Sequence, residues 1–496
     1  MRFVSFSRRM MAFLVFSLLG GCTMIPQYKR PVTPLAASFS GAEGQDEAGH
    51  LTPVRDIGWA DFFTDPRLRG LIAIALRENR ELHQAASAIV EAQGQYDVQH
   101  AGLFPHIGAD GGAMYEGPSD QAGLSFAPGL DSGAGGQSPG TFRYYTGGIG
   151  FSSYEIDLFG RIRSLSRSAQ ELVLVQQANL QALRISLVSQ VANAYFAWLA
   201  DRETLDLTND VLRAQEKTVR LARSRLAWGE TDRLTVRQAE TQLAQDGVFR
   251  ADAEKELKQD ENLITLLIGS PIPADLPAPR SLDEQMLMTS IPAGLPSDLL
   301  ERRPDIVAAE HDLLSSNADI GAARAAFFPR ITLTATDGVS SLQFHKLFTS
   351  AATTWGVSPE ISVPLLNWGQ NTGNLMAAKA RRNGKVAAYE KTVQGAFREV
   401  SDCLVARQAY LDESARVRDL VTAAADGRHL SDLKFHAGQA SYLTALIAQR
   451  DYLEAREWQV LVRMARYQNM VTIYRALGGG WSAHVPRLSN TSLASR

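Results

Sequence analysis

Side chains that could do chemistry are sparse in this sequence. Its nine histidines are scattered, and the closest pairs are His100 with His106 and His429 with His436. No His-Glu-x-x-His zinc motif and no Walker phosphate loop occurs. The glycine-rich stretch 129–140 lacks the lysine and the following helix that a phosphate loop needs. The sequence therefore predicts no catalytic residue, no metal site and no enzymatic activity.

The sequence predicts a covalent modification near its N-terminus. Arg2, Arg8 and Arg9 accompany the apolar run 11–19, which is the pattern of a secretory signal and is too short to span a bilayer. Leu-Gly-Gly-Cys22 follows and resembles the lipobox of bacterial lipoproteins. The resemblance implies cleavage before Cys22 and a covalent lipid on its thiol, and no other cofactor. The alternative is an ordinary signal peptide with a cysteine near its cleavage site.

Composition excludes some classes of protein. A net charge of −3 over 496 residues leaves no basic footprint for nucleic acid. After Leu19 no run of eighteen apolar residues occurs, so the sequence predicts no transmembrane helix. Cys403 is the second of two cysteines and lies in a run with the apolar pattern of a helix core. If Cys22 carries lipid, no intramolecular disulfide can form.

The chain is an internal duplication. Ala-Gly-Leu-Phe-Pro105 recurs as Ala-Ala-Phe-Phe-Pro329. Three glycines in each half follow with the same spacing: Gly160, Gly229 and Gly269, then Gly369, Gly438 and Gly478. The intervals are 69 and 40 residues in both halves. Two equal pairs of intervals are hard to obtain by chance, so we interpret the chain as two homologous halves.

Each half is predicted to contain a long helical hairpin. Proline is absent between Gly140 and Ser270 and again between Leu365 and Val485, and proline is the residue that most often ends a helix. Apolar residues recur at seven-residue spacing, as in Leu205, Leu212, Val219 and Leu226, which favours helices packed along a supercoil. Gly229 and Gly438 are predicted to mark the turns, because glycine readily ends a helix.

Short strands are predicted between the helices. Alternation of apolar and polar residues occurs in residues 353–365 and 331–336, and less cleanly in 106–115 and 143–158. The pattern fits a transmembrane β-strand or a half-buried strand of a soluble sheet. Four strands cannot close a barrel, so strands in lipid require an oligomer. This argument leaves a dimer of eight strands and a trimer of twelve open.

These features divide the chain. We predict a signal peptide in residues 1–21, a lipid-anchored extended segment in 22–65, a first repeat in 66–270, a linker in 271–297, a second repeat in 298–481 and a flexible tail in 482–496. Each repeat is predicted to consist of a helix, two strands and the long hairpin.

A family resemblance rests on several motifs together. They are Pro26-Gln-Tyr-Lys-Arg-Pro31, Trp59-x-x-Phe62-Phe-x-Asp65-Pro66-x-Leu68, Glu301-Arg-Arg-Pro-Asp-Ile306, the two Phe-Pro pairs, and Ala476-Leu-Gly-Gly-Gly-Trp481. The combination resembles the outer-membrane factor lipoproteins of resistance-nodulation-division efflux pumps, in the TolC superfamily. It covers nearly the whole mature chain.

The resemblance implies an α+β membrane protein of the cell outer membrane that extends into the periplasm. Such a protein is a homotrimer in which four strands per chain form one transmembrane β-barrel, continuous with a long periplasmic α-helical barrel and a mixed equatorial domain. It implies an exit duct for drugs, toxic organic compounds or metals. It further implies two partners, a periplasmic adaptor and an inner-membrane efflux transporter.

The hairpin turns carry the candidate docking residues. The family's Arg-Leu-x-x-Gly tip motif is matched by Arg225, Leu226 and Gly229. The second tip has Lys434, Phe435 and Gly438. The resemblance implies adaptor contact at these residues; the alternative for Arg225 is a solvated helix end. Lys434 keeps the positive charge but lacks the bidentate geometry of arginine.

Asp432 and His436 are candidate gate residues. They are four residues apart, so they share one helical face shortly before Gly438. Three copies around an axis would give a cation-preferring, pH-sensitive constriction. The alternative is a solvated outer face.

Two other functions remain possible on the sequence alone. An exit duct for type I protein secretion would use the same fold. A structural coiled-coil lipoprotein without a pore would share the lipobox and the long helices. The lipobox and the Gly-Gly-Gly-Trp ending favour efflux.

We predict that the mature chain begins at Cys22 and carries lipid there. Mass spectrometry of the N-terminal peptide from the purified protein should find acyl groups on this residue, because the Leu-Gly-Gly-Cys22 spelling directs cleavage immediately before it. An unmodified Cys22, or cleavage at another residue, would show that the signal is an ordinary secretory one.

Overall fold

The computed structural model describes residues 23–32, 58–116, 142–285 and 303–479. Its helices are α1 (Trp59–Phe62), α2 (Pro66–Glu78), α3 (Arg80–Ala101), α4 (Arg161–Ala227), α5 (Arg233–Ile268), α6 (Pro304–Ala325), α7 (Gln370–His436) and α8 (Tyr442–Ala476). Its strands are β1 (Gly108–Glu116), β2 (Phe142–Glu155), β3 (Arg330–Ser341) and β4 (Thr353–Ser362). Short 3-10 helices occupy Leu282–Glu284, Phe344–Lys346 and Ser350–Ala352.

The duplication is visible in the backbone. The glycines with positive φ among the described residues are Gly160, Gly229, Gly269, Gly369, Gly438 and Gly478, which are the six that define the repeat. Helices α4 and α7, which begin directly after the first glycine of each set, both contain 67 residues. At 1.5 Å per residue, each helix is about 100 Å long. The spacing of three glycines thus predicted the ends of the long helices.

The second helix of each hairpin starts in the same way. Asp232 lies three residues after Gly229, and its side chain accepts a hydrogen bond from the backbone N–H of Thr235 at 2.8 Å. Ser441 lies three residues after Gly438 and accepts from the N–H of Thr444 at 3.3 Å. Both side chains are N-caps that satisfy an amide left free at the helix start. Each turn therefore combines a glycine that ends one helix with a polar residue that begins the next.

The described residues form two compact units. One unit comprises Val90–Val173 and His311–Val386 with the described part of Met1–Arg30, and it contains the sheet. Here the N-terminal segment lies along α6, where Asn317 Nδ2 donates to the carbonyl of Pro26 at 2.8 Å. A Cβ on Gly321 would lie 3.0 Å from the backbone nitrogen of Ile25, so a residue without a side chain is needed for this close approach.

The other unit comprises Pro31–Ile89, Leu174–Glu310 and Ala387–Arg496 and holds the largest core. The rings of Phe62 and Tyr474 stack in it at 4.1 Å. Asp65 is buried and caps α2, accepting from the N–H of Arg67 at 2.8 Å. Its other carboxylate oxygen accepts from Tyr195 Oη at 2.8 Å and from Gln285 Nε2 at 2.7 Å. This carboxylate therefore ties α2, α4 and the segment after α5 together.

The strands form one antiparallel sheet in the order β1-β2-β3-β4. The four predicted strand regions are confirmed, with shifted ends. β3 continues to Ser341, beyond the predicted 331–336, and β4 ends at Ser362, before Pro364. Pro359 lies inside β4 opposite Leu333. Proline is tolerated there because β4 is an edge strand of this sheet and has a partner on one side.

The two faces of the sheet differ in polarity. Because side chains alternate along a strand, one face of β3 and β4 carries one acid, Asp337, among the apolar residues Ile331, Leu333, Ala335, Val339, Trp355, Val357 and Ile361. The opposite face carries Thr332, Thr334, Thr336, Gly338, Thr354, Gly356 and Ser358. On this polar face, Cβ atoms on Gly150 and Gly338 would lie 2.4 Å from the carbonyl oxygens of Ala335 and Gly147. Glycine therefore permits the close approach of β2 and β3.

Among the described residues, no helix is both long and apolar enough to cross a membrane. The signal peptide in residues 1–21, Cys22 and the tail in 482–496 lie outside the described residues. The predictions made for them stay predictions.

We predict that alanine is tolerated less well at Gly269 than at Gly229. Both residues have positive φ, +70° and +77°, so alanine at either position costs about 1 kcal/mol in backbone conformation. At Gly269 the added Cβ would also lie 2.6 Å from the carbonyl oxygen of Glu78, whereas at Gly229 no atom of the described residues lies within 4 Å. Thermal unfolding of the full chain in detergent should therefore show a larger fall in Tm for Gly269→Ala. Equal falls would mean that the contact with Glu78 relaxes without cost.

Candidate functional site

The two hairpin tips have the same turn. The N–H of Gly229 donates to the carbonyl of Leu226 at 3.0 Å, and that of Gly438 to the carbonyl of Phe435 at 3.1 Å. One residue later, the amide of Glu230 donates to Arg225 at 2.9 Å and that of Gln439 to Lys434 at 2.8 Å. These bonds satisfy carbonyls that the helix ends leave free. Both predicted tip motifs are therefore helix C-caps, which accounts for the spacing from Arg225 or Lys434 to glycine.

The structure brings residues of the two tips into contact. The guanidinium of Arg225 lies over the ring of Phe435, 5.5 Å from its centre. The Phe435 ring in turn lies 5.7 Å from that of Tyr442, the first residue of α8. A cation over an aromatic face stabilises by about 0.5–1 kcal/mol at an exposed site. Arg225 is therefore an element of the junction between hairpins as well as a candidate docking residue.

A small cavity of about 260 Å³ lies between the tips. Its lining includes Thr218, Leu221, Ala222, Thr235, Phe435 and Tyr442. Next to it, Trp228 is 80% exposed. Lys434 is exposed, and Leu226 is half-buried. Arg225 and Glu230 also line the cavity, so the tips offer a pocket of mixed polarity and an exposed indole, a combination suited to binding another protein.

A comparison with known protein families identifies the family of this chain. The sequence model described as "Outer membrane efflux protein" matches residues 71–270 and 295–479, which together span most of both halves. The chain belongs to the outer membrane efflux protein family. It is an outer-membrane efflux channel, as the motifs predicted, and the expected location in the outer membrane is confirmed.

Relatives match over nearly the full length. The toluene efflux pump outer membrane protein TtgC of Pseudomonas putida is 40% identical over 470 residues, 94% of each chain. Outer membrane protein OprJ of Pseudomonas aeruginosa is 36% identical over 475 residues, 95% of each. The open-state structure of the Neisseria gonorrhoeae MtrE outer membrane channel has a TM-score of 0.83 and 35% identity, covering 94% of this chain and 100% of that one. The predicted α+β channel fold is confirmed.

The family motifs outside the tips have structural roles. Arg303, of the Glu-Arg-Arg-Pro motif, donates to the carbonyl of Ala476 at 2.8 Å and lies 2.9 Å from a carboxylate oxygen of Glu399. Arg303 thereby ties the start of α6 to both helices of the second hairpin. Asp65, of the Trp-x-x-Phe-Phe-x-Asp motif, has the bonds described above.

The candidate gate residues stay a prediction. Asp432 is half-buried and His436 is exposed, both near the end of α7. The described residues contain no group of three or more His, Cys, Asp and Glu side chains arranged to hold a metal.

One short sequence resembles a catalytic motif. Gly136-Gln-Ser-Pro-Gly140 has the letters of the Gly-x-Ser-x-Gly nucleophile turn. The stretch lies outside the described residues. Such a nucleophile turn requires a preceding strand, a following helix and triad partners, and the family is one of transport proteins.

A carboxyl pair joins the helices of the first hairpin. Asp201 on α4 and Asp260 on α5 lie close enough for their carboxyl groups to interact, and among the described residues Asp260 Oδ2 is buried without a hydrogen-bond partner. Burial raises the pKa of Asp260 to about 7, and the charge of Asp201 adds to the rise. Burial also raises the pKa of Asp201. Neither acid stood out in the sequence, because the pairing joins positions 59 residues apart on different helices.

We predict that Asp260→Asn stabilises the protein above pH 7. The folded chain holds a proton on Asp260 that the unfolded chain releases near pH 4, so wild-type stability falls as pH rises from about 4 to about 7. Asparagine removes the repulsion between two carboxylates. Tm measured from pH 4 to 8 should show a gain that grows with pH. A gain independent of pH would contradict the raised pKa of Asp260.

Proposed function

We propose that three copies of this chain form the exit duct of a tripartite pump that expels toxic organic compounds or antibiotics. The observation that carries the proposal is the match along 94% of the chain to proteins named as toluene and antibiotic efflux pump outer membrane proteins. Those names also favour efflux over type I protein secretion and over a coiled-coil lipoprotein without a pore.

The sheet supports formation of an oligomer. β1 and β4 are the edge strands, and each leaves one row of backbone N–H and C=O groups without a partner in the described sheet. Such groups are costly in lipid unless another strand pairs with them. Three sheets joined edge to edge satisfy every edge and make twelve strands, within the range of known barrels. The apolar face carrying Trp355 and Val357 then faces lipid, and the face carrying threonine and serine faces the pore.

The tips support docking of a periplasmic adaptor. The indole of Trp228 is mostly exposed, and the cavity lined by Arg225, Glu230 and Phe435 offers a partner both charged and apolar contacts. Buried tryptophan and arginine are the residues that contribute most to affinity at protein interfaces. An inner-membrane transporter is the third component. The lipid on Cys22 is the proposed anchor of the mature N-terminus.

The test uses two neighbouring residues on opposite faces of β4. Val357→Lys puts a charge on the proposed lipid face, which costs about 2–4 kcal/mol near the middle of the bilayer. Ser358→Lys puts the same charge on the proposed pore face and is the matched control. Both positions are exposed in the single chain. We expect native mass spectrometry in detergent to find trimers for wild type and Ser358→Lys, and much less trimer from membranes for Val357→Lys.

Planar-bilayer recording completes the test. Wild type and Ser358→Lys should both conduct ions, with altered ion preference in the lysine variant. A wild-type monomer, a trimer that does not conduct, or equal yields from the two variants would refute the proposed duct.

A further inference from the structure

A buried polar cluster lies where the two hairpins meet. Gln215 of α4 is 1% exposed, and its Nε2 donates to the backbone carbonyl of Ala239 at 3.0 Å and to Tyr442 Oη at 2.7 Å. Ala239 belongs to the first hairpin and Tyr442 to the second. One amide group therefore holds the first residue of α8 against the first hairpin.

Asp246 of α5 is the acidic member of this cluster. It is 2% exposed, and Oδ1 accepts from Gln242 Nε2 at 2.8 Å, whereas Oδ2 is buried and has no hydrogen-bond partner among the residues that the structure describes. Its charge acts on the phenol of Tyr442, whose pKa is raised first by burial and also by Asp246. Tyr442 belongs to an apolar cluster with Val219 and Ala239, against which Leu243, Phe435 and Leu446 pack.

The ionised form of Asp246 is unfavourable in this position. Burial raises the pKa of Asp246, and the Gln242 hydrogen bond offsets the rise only in part. A buried carboxylate with one unpaired oxygen lacks much of the solvation and pairing that stabilise charge. Two changes would relieve this cost. Protonation removes the charge, and separation of α8 from the first hairpin would admit water to Asp246 and to the Tyr442 hydroxyl.

We propose that Gln215, Tyr442 and Asp246 form a protonation-sensitive latch between the two hairpins: neutral Asp246 favours packed hairpins, and ionised Asp246 favours their separation. The latch rests on the proposed duct, whose hairpin tips must part for cargo to enter. It is distinct from Asp432 and His436, which lie on α7.

The direction of the pH effect follows from the burial of Asp246. Its pKa is raised while the hairpins are packed and returns toward the ordinary value of about 4 once water reaches it. The packed state therefore binds the proton of Asp246 more tightly and is favoured at low pH. It loses that advantage as the pH rises through the pKa that Asp246 has in the packed state. The groups that face Asp246 do not oppose this: Gln215 and Gln242 are uncharged, and Tyr442 stays neutral because its own pKa is raised.

The experiment is ion conductance of the full chain in planar bilayers, in potassium chloride, from pH 4 to 8. Wild-type conductance should rise with pH. Asp246→Asn is permanently neutral and should remain at the low, acid-like conductance of wild type at every pH. Asp260→Asn is the matched control: it neutralises another acid of α5, but one that pairs within the first hairpin, so it should keep the wild-type slope. An unchanged pH slope in Asp246→Asn overturns the latch, as does a wild type without pH dependence.

Tyr442→Phe tests the same latch without changing a charge. The ring still fills the space beside Phe435, but Gln215 loses its acceptor on α8. We expect at least a twofold rise in conductance at pH 5, with a pH slope that remains because Asp246 is intact. Wild-type conductance at every pH overturns the latch. A wild type that never conducts refutes the proposed duct instead, so the two failures are distinguishable.

Discussion

The left-handed backbone at helix ends is the constraint on which both halves of the chain depend. A residue with a side chain loses about 1–2 kcal/mol in this conformation, and glycine does not. The chain has glycine at the six positions where a long helix starts or a hairpin helix ends, with the same spacing in both halves. Because these ends are set locally, the same length of helix forms twice from sequences that otherwise differ.

Features that depend on local sequence could be predicted, and features that depend on distant pairing could not. Proline-free runs, heptads and the six glycines were sufficient for the hairpins, and alternating residues were sufficient for the strand regions. The end of β3 was predicted too short because Asp337-Gly338 reads as a turn, whereas pairing of Gly338 with Gly148 continues the strand. Pairing with β2 therefore determines where β3 ends.

Contacts between residues far apart in the sequence also explain which parts of the candidate site could not be predicted. Arg225 and Phe435 were each predicted as tip residues, but nothing in either motif indicates that their side chains stack on each other. Trp228 stands in a helical run, where a sequence does not distinguish a core indole from an exposed one. Asp246 looks like any solvated acid of a charged helix, yet it is buried and its charge acts on Tyr442 of the other hairpin.

The equal lengths of α4 and α7 have an engineering consequence. Both hairpins must deliver their tips to one junction, since Arg225 meets Phe435 and Gln215 meets Tyr442 across it. An insertion in one helix would move its tip along the axis by about 1.5 Å per residue and rotate every later side chain onto another face. Only matched insertions in all four hairpin helices, in multiples of about seven residues, would keep the two tips at the same height and their contacting side chains turned toward each other. The two halves must therefore have hairpins of equal length, and a functional variant with longer or shorter hairpins needs the same change in both.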